Sequence, residues 1–313
     1  MKTLIAQITP RSSFGGVIRG DTLFGQICWA ILHRWGQGQL DELLSGYTQG
    51  RPFLVVSDAF PAGFLPRPAL PLHRYAEVAG ADRKQVKKRN WIPVVHFAES
   101  VDTWLKHAKP EQEVFDADLV KEAVRPHNTI NRMTGTTGTG EFAPYVMPQL
   151  RFADGLTFDL YLAHDERLEI EEIRQLLVDV GLSGYGRDAS IGLGKFEVND
   201  TQETQWPAQS NANAWYTLAP SAPQGMKLRS DNCWYQPFTR FGRHGDIAVH
   251  GGQPFKTPLL LADTAAILTP VEYSDRAFVG QGLGGDGRLS KAISQTVHQG
   301  YAPVLPVSLE ERA

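Results

Sequence analysis

The sequence predicts an α+β fold in two domains, and three observations carry that prediction. Segments 21–35 and 168–180 repeat apolar residues at the helical interval. Segments 2–9 and 195–198 alternate polar and apolar residues beside them, as half-buried strands do. Beyond residue 213 the chain becomes short apolar runs divided by glycine and proline, the pattern of a mostly β half. With 313 residues, 42% of them hydrophobic, it is long enough to bury two cores. The expected domains are 1–200, interrupted by an insertion at about 66–143, and 201–313, with the polar stretch 201–213 as linker.

The first strand, 2–9, is followed by Asp21, placed to cap a helix in which Leu23, Phe24, Ile27, Cys28, Ile31, Leu32 and Trp35 share a face. Between them, residues 11–20 form a loop of small residues that leads into a helix N-terminus, where anions are favoured. The apolar run 52–60 reads as a strand, and Pro66, Pro68 and Pro71 then oppose regular structure. Arg83, Lys84, Lys87, Lys88 and Arg89 are the densest positive charge in the chain and stand directly before Trp91. Such a run is either solvated surface or, with its aromatic neighbour, part of a nucleic-acid groove, and Trp91 is either a stacking platform or a core anchor. Phe97, Val101, Trp104 and Leu105 suggest a short helix that packs the insertion. Threonine and glycine crowd residues 127–142 and suit an extended hairpin. Leu156, Phe158, Leu160 and Leu162 alternate as a strand, and an acidic helix follows, ending at Gly181 as its cap.

Residues 181–198, GLSGYGRDASIGLGKFEV, join that helix to a strand through five glycines. Gly184, Gly186, Gly192 and Gly194 let backbone approach a ligand closely, and successive exposed N–H groups in such a turn form an anion-binding nest suited to phosphate. Arg187, Ser190 and Lys195 add charge and donors. Gly184, Gly186 and Ala189 fit a dinucleotide pattern, but that motif runs from strand to helix and here the order is reversed. Gly194 and Lys195 are followed by Phe196, so the hydroxyl of a P-loop is missing.

A net charge of −3 is unlike a protein that coats nucleic acid over its whole surface, so any RNA contact must come from local basic patches. Cys28 and Cys233 have no CxxC partner and are expected to pack. No apolar run reaches membrane-spanning length and the N-terminus has no signal-peptide core, so a cytoplasmic protein is expected. The nine histidines include no HExxH, HxH or His-Asp doublet, so no metal site, cofactor or catalytic residue is expected. The turn at Gly284-Gly285-Asp286-Gly287 lacks the second carboxylate that two metal ions would need.

Five segments resemble the RAMP superfamily of CRISPR proteins: 11–36, with Asp21-Thr22-Leu23-Phe24-Gly25 ahead of a tryptophan-bearing helix; 57–68, with Ser57-Asp58-Ala59-Phe60 and Leu65-Pro66-Arg67-Pro68; 127–142; 181–198; and 298–307. The resemblance implies two ferredoxin-like (RRM-like) domains, a glycine-rich loop before the last strand of the first, and a thumb hairpin that inserts beside a guide RNA. It further implies the non-catalytic subunit of a type III-A effector that holds the 5′ tag of the guide and joins the large polymerase/cyclase-like subunit to the backbone RAMP subunit. The RNA-binding candidates are then Arg19; Lys87, Lys88 and Arg89; Asn131, Arg132 and Thr134; and Gly184, Gly186, Arg187, Ser190, Gly192, Gly194 and Lys195. Three alternatives stand beside this: a RAMP endoribonuclease that processes the guide precursor with His33 as general acid/base, a purely structural protein–protein adaptor, and the equivalent subunit of another type III subtype.

Overall fold

A computed structural model describes residues 1–76, 82–115, 118–250 and 253–310. In chain order these form β1 (Lys2–Pro10), α1 (Gly20–Trp35), α2 (Gln37–Leu44), β2 (Leu54–Val56), β3 (Phe60–Pro61), β4 (Phe64–Pro66), α3 (Arg83–Lys88), β5 (Trp91–Pro93), α4 (Trp104–His107) and α5 (Glu111–Val114). There follow β6 (Val120–His127), β7 (Tyr145–Phe152), β8 (Phe158–His164), α6 (Ile170–Ser183) and β9 (Phe196–Glu203). The last part holds β10 (Ala214–Thr217), β11 (Pro237–Arg240), β12 (Leu259–Ala262), β13 (Ile267–Leu268), β14 (Phe278–Gly284) and β15 (Val297–Val307).

The main sheet is antiparallel in the order β2-β8-β1-β9, with β3 also on β8. Alternation along β1 and β8 sends Leu4, Ala6, Ile8, Leu160 and Leu162 to one face. There they are buried with Leu23, Ile27 and Ile31 of α1 and Ile173, Leu176 and Leu177 of α6. Ile5 and Tyr161, paired in register, point the other way. That second face is sealed: Tyr161 meets Trp206 edge-on at 5.8 Å and shares a cluster with Trp104 of the insertion and Tyr216 of β10. The bare aromatic sheet face with which RRM domains stack bases is therefore not exposed here.

Residues 201–213 are not the free polar linker the composition predicts. β9 extends to Glu203, the Trp206 indole donates to the Leu4 carbonyl at 3.2 Å, and the buried Gln209 amide donates to the Phe97 carbonyl at 2.9 Å. A tryptophan and a satisfied amide turn a polar stretch into a packed one.

The second sheet has the order β13-β10-β15-β14, and the described residues after 203 hold no α-helix. β15 packs on α1 and β2 of the first half: Gln299 exchanges two hydrogen bonds with the Val56 backbone (2.9 and 2.7 Å), and the Tyr301 hydroxyl donates to the Tyr47 carbonyl at 2.5 Å. Tyr301 thus belongs to the core of the main sheet, so the two halves share their interior. Sequence reading missed β14, FVGQGLG, because alternate glycines disguise it. A Cβ at Gly280 would overlap the Gly300 carbonyl and one at Gly282 the Tyr47 backbone, so the strand is glycine-rich where other backbone lies against it.

The acidic helix also differs at its end. α6 runs past Gly181 to Ser183, and Gly184 at φ 102° caps it. Gly181 lies inside, because a Cβ there would overlap the Phe196 carbonyl where the helix crosses β9. At its other end Glu169 and Glu172 form a reciprocal capping box, which uses two of the acids that the sequence leaves unexplained.

Candidate nucleic-acid interface

Three segments far apart in sequence meet at the edge of the main sheet. The loop 184–195 is tied to the loop 11–19 by Gly194 N–H donating to the Ser13 carbonyl (2.8 Å), Lys195 N–H to Ser12 Oγ (2.9 Å) and Arg11 N–H to the Lys195 carbonyl (2.7 Å). The loop 11–19 is tied to the foot of the β6–β7 ribbon by paired Phe14 and Leu150 backbone bonds of 2.8 Å. Arg187 closes the triangle: Gly15 lacks the side chain that would collide with it, and its Nη2 donates to the Pro148 carbonyl at 2.8 Å. Buried Tyr185 anchors the arrangement by accepting the Arg19 N–H at 2.8 Å, and Gln26 of α1 bonds the Gly184 carbonyl and the Gly186 N–H, both at 3.1 Å. Sequence reading missed Tyr185 and Gln26, whose role exists only once α1 lies beside the loop.

Within the loop the four glycines divide into two pairs. Gly184 and Gly194 face the loop's own backbone: a Cβ at Gly194 would overlap Tyr185, and one at Gly184 the Leu193 carbonyl. They form a pinched neck, closed by Tyr185 N–H to Gly194 carbonyl at 2.8 Å, and do not line a ligand surface as the sequence suggests. Gly186 and Gly192 have positive φ of 78° and 93° and open space where a side chain would be. Beyond the neck, the N–H groups of Arg187, Asp188 and Ala189 carry no hydrogen bond among the described residues. Left-handed Gly186 precedes this turn and left-handed Asp188 stands within it, the alternation of a nest. Ser190 is exposed beside it. Asp188 opposes an anion there, but its carboxylate lies 3.5 Å from Arg187 Nε. Lys195 does not point into the turn; its Nζ donates to the Leu182 carbonyl at the C-terminal end of α6, where a cation is favoured.

The hairpin predicted at 127–142 is longer in the structure. β6 and β7 pair from Val120↔Phe152 to His127↔Tyr145, and residues 128–144 form the tip. Asn131 holds that tip by its own backbone: it accepts from the Gly135 N–H at 2.8 Å, donates to the Thr136 carbonyl at 3.0 Å, and its Oδ1 accepts the Met133 N–H at 2.9 Å. Asn131 is thus a turn-former, while Arg132 and Thr134 are exposed beside Met133 and Ile130, which are 93% and 59% exposed.

At the start of α1 the structure corrects three readings. The N-terminus that should favour an outside anion is filled from within: Asp58 Oδ1 accepts the Gly20 N–H at 2.8 Å. Arg19, the proposed RNA contact, binds Asp58 at 3.0 Å and Asp263 at 2.7 Å and lies over the Phe238 ring. Asp21 is not the cap; it is buried in the first turn and receives both arms of Arg240 at 2.6 and 2.5 Å, with His298 Nε2 at 3.4 Å. Burial pushes the Asp21 carboxyl up, but His298 and Arg240 outweigh it and hold it at about 2. Burial raises Asp58 to about 6 against the pull of Arg19. These charges join the two halves of the chain.

The basic run forms α3, a short exposed helix, and Trp91 after it packs inward against two core clusters. Arg89 Nη1 lies 3.5 and 3.3 Å from the Leu105 and Lys106 carbonyls, which leaves Lys87 and Lys88 as the exposed charges of the candidate set in that segment. His33, near the end of α1, meets Asp246 at 2.6 Å on the surface. Burial raises the Cys28 thiol to about 12, which suits its packing role.

No helix among the described residues is long and apolar enough to cross a membrane. By shape the chain is similar to a chain of the Csm1–Csm4 cassette in complex with pppApA, at 17% identity over all of both chains with a TM-score of 0.61. It is similar to a chain of the same cassette with cA4, at 16% identity over 99% of this chain and all of that one, TM-score 0.62. A chain of the Csm3–Csm4 subcomplex in the type III-A CRISPR-Cas interference complex matches at 15% identity over 98% and 100%, TM-score 0.56. Among curated proteins none matches in sequence. Those identities speak to the fold alone. The sequence model of the RAMP superfamily, however, matches residues 12–197, from the first loop through the glycine-rich loop to β9. The chain belongs to the RAMP superfamily.

Proposed function

We propose that this chain is the non-catalytic, guide-RNA-binding subunit of a type III-A CRISPR effector, a cytoplasmic antiviral complex. It holds the 5′ tag of the guide RNA and joins a large polymerase/cyclase-like subunit to the backbone RAMP filament. Csm4 is the component common to the two assemblies that the fold resembles, and those assemblies pair it with Csm1 and with Csm3. The observation that carries the reading is the junction of loop 11–19, loop 184–195 and the foot of the β6–β7 ribbon, with free amides beside an exposed arm. In this reading β1, α1, β2, β8, α6 and β9 are one ferredoxin-like half, carrying the insertion at 66–143. Residues 201–313 are a divergent second half that keeps a sheet and borrows α1 as cover.

The tag phosphates take the amides of residues 187–189 with Arg187 and Ser190, between Gly186 and Gly192. Gly184, Gly194 and Lys195 set the shape of that cradle from behind. Arg132 and Thr134, presented by the Asn131 turn, wedge at the junction of tag and spacer, and Lys87 and Lys88 add a local electrostatic contact. Arg19 and Arg89 hold protein to protein instead.

The test is to rebuild the complex with single variants, confirm assembly by co-purification, and probe the 5′ tag chemically. Gly186→Val, which puts a branched side chain at a left-handed φ beside the amides, is expected to lose more tag protection than Arg187→Ala. Arg132→Ala is expected to lose protection only at the tag junction. Wild-type protection in Gly186→Val would remove the loop from the RNA site.

A second reading, an endoribonuclease, draws on the His33–Asp246 pair, which the fold creates although the sequence has no such doublet. Labelled repeat RNA is expected to stay intact with the purified chain in magnesium or manganese. Cleavage that His33→Ala abolishes would overturn the non-catalytic assignment.

A further inference from the structure

The insertion brings together three side chains whose spacing matches no metal motif in the sequence. His96 ends the turn 94–96, Glu99 follows it by three residues, and His107 is the last residue of α4. His96 Nδ1 lies 2.7 Å from Glu99 Oε1, and His107 Nε2 lies 2.9 Å from Glu99 Oε2. The two imidazoles stack at 3.8 Å with 13° between their planes, and donor atoms of all three residues lie within 4.8 Å of one another.

We infer that His96, Glu99 and His107 form a binding site for a divalent transition metal of the zinc class. Two imidazoles and one carboxylate are borderline-soft nitrogen and hard oxygen donors, a set that zinc accepts and that magnesium and calcium, which take oxygen, do not. Zinc bonds of about 2.0–2.2 Å in a tetrahedron place donors roughly 3.3 Å apart. The two imidazole–carboxylate gaps are about 0.4–0.6 Å shorter, a change that side-chain rotation supplies because the three side chains are 33–43% exposed. A fourth position stays open to water or to a partner's side chain.

The support around the triad is that of a built site. The Glu99 carbonyl accepts from the Trp104 indole at 3.0 Å and from the buried Gln209 amide at 2.5 Å, and Thr103 Oγ1 reaches Glu99 Oε2 at 3.4 Å. Trp104 is fully buried with Phe97, Val101 and Leu105, so the backbone that carries the carboxylate is fixed from below. A metal here staples the turn before α4 to the end of α4, on the corner where the insertion meets the strand-to-strand stretch 204–213.

The experiment uses the full chain, stripped with chelator and titrated with zinc ion alone against a chromophoric competitor. One equivalent is expected to bind, to raise Tm by several degrees, and, when cobalt replaces zinc, to give the visible absorption of a tetrahedral site. Glu99→Gln and His107→Gln are expected to weaken binding at least tenfold and to abolish the Tm shift, with unchanged far-ultraviolet circular dichroism. His33→Gln serves as the control and is expected to bind as the wild type does. If the wild-type chain takes up no stoichiometric zinc, or if Glu99→Gln and His107→Gln bind it as well as the wild type, the site does not exist.

Discussion

Asp21→Ala is expected to lower the unfolding free energy by up to about 3 kcal/mol, because it leaves the partly buried Arg240 guanidinium without its counter-ion and the buried His298 without its nearest acceptor. The carboxylate side chain is wholly inaccessible, and both arms of Arg240 end on it. Urea unfolding with an unchanged m-value measures the loss, and a cost below about 1 kcal/mol would show that the network does not hold the halves together. Acid adds a second signature. The Asp21 carboxyl is depressed to about 2 in the folded chain from an ordinary value of 3.8. Its contribution is therefore complete above the ordinary value and is lost as pH falls from about 4 to 2, roughly 2 kcal/mol in all. Asp58 acts with the opposite sign. Raised to about 6, it binds its proton more tightly in the folded chain, so its contribution falls as pH rises from about 4 to 6. Asp21→Asn should remove the loss below about pH 4 and leave the decline between about pH 4 and 6 that Asp58 sets.

Gly194→Ala is expected to damage the loop far more than Gly186→Ala, although both sit at nearly the same left-handed φ, 77° and 78°. Left-handed backbone costs either alanine about 1–2 kcal/mol. At Gly186 nothing further is met, whereas at Gly194 the new Cβ overlaps the Tyr185 backbone and adds about 1–3 kcal/mol of overpacking. The neck that closes on Tyr185 must open, so the expected result is a clear drop in Tm and loss of guide RNA for Gly194→Ala. Gly186→Ala should assemble and lose only the smaller share of Tm that the backbone strain alone accounts for. Equal melting of the two chains would mean that the neck is slack.

Helix α1 and strand β8 were legible because their apolar residues recur at regular spacing: Leu23, Phe24, Ile27 and Ile31 are buried as that spacing predicts, and so are Phe158, Leu160 and Leu162, although β8, covered on both faces, is buried throughout. The glycine-rich loop was legible as a place but not as a mechanism. Which glycines serve the neck and which face outward depends on Tyr185, Leu193 and Ala189 folding back, a contact set with no local sequence signal. Charge was the least legible property. Arg19 and Arg89 look the same in sequence as Arg132, yet the first two end on protein acceptors contributed by residues 263 and 105–106. The His96, Glu99 and His107 group shows the same limit, since its spacing is set by a turn and a four-residue helix instead of one regular element.

The position of β1 has a consequence for how the chain comes to be folded. β1 is made well before its neighbours on both sides: Ile8 pairs with Phe158 of β8 and Pro10 with Phe196 of β9. Synthesis at about 5–20 residues per second leaves it without a partner for on the order of ten seconds. During that time both of its hydrogen-bonding edges are open templates for other strands. The main sheet then closes only by joining remote segments, which makes its assembly slow by topology and not by weakness of any contact. α1, whose bonds are all local, is ready long before the strand beside it, so the nascent chain presents the apolar stripe of Leu23, Ile27 and Ile31 to whatever waits at the ribosome exit.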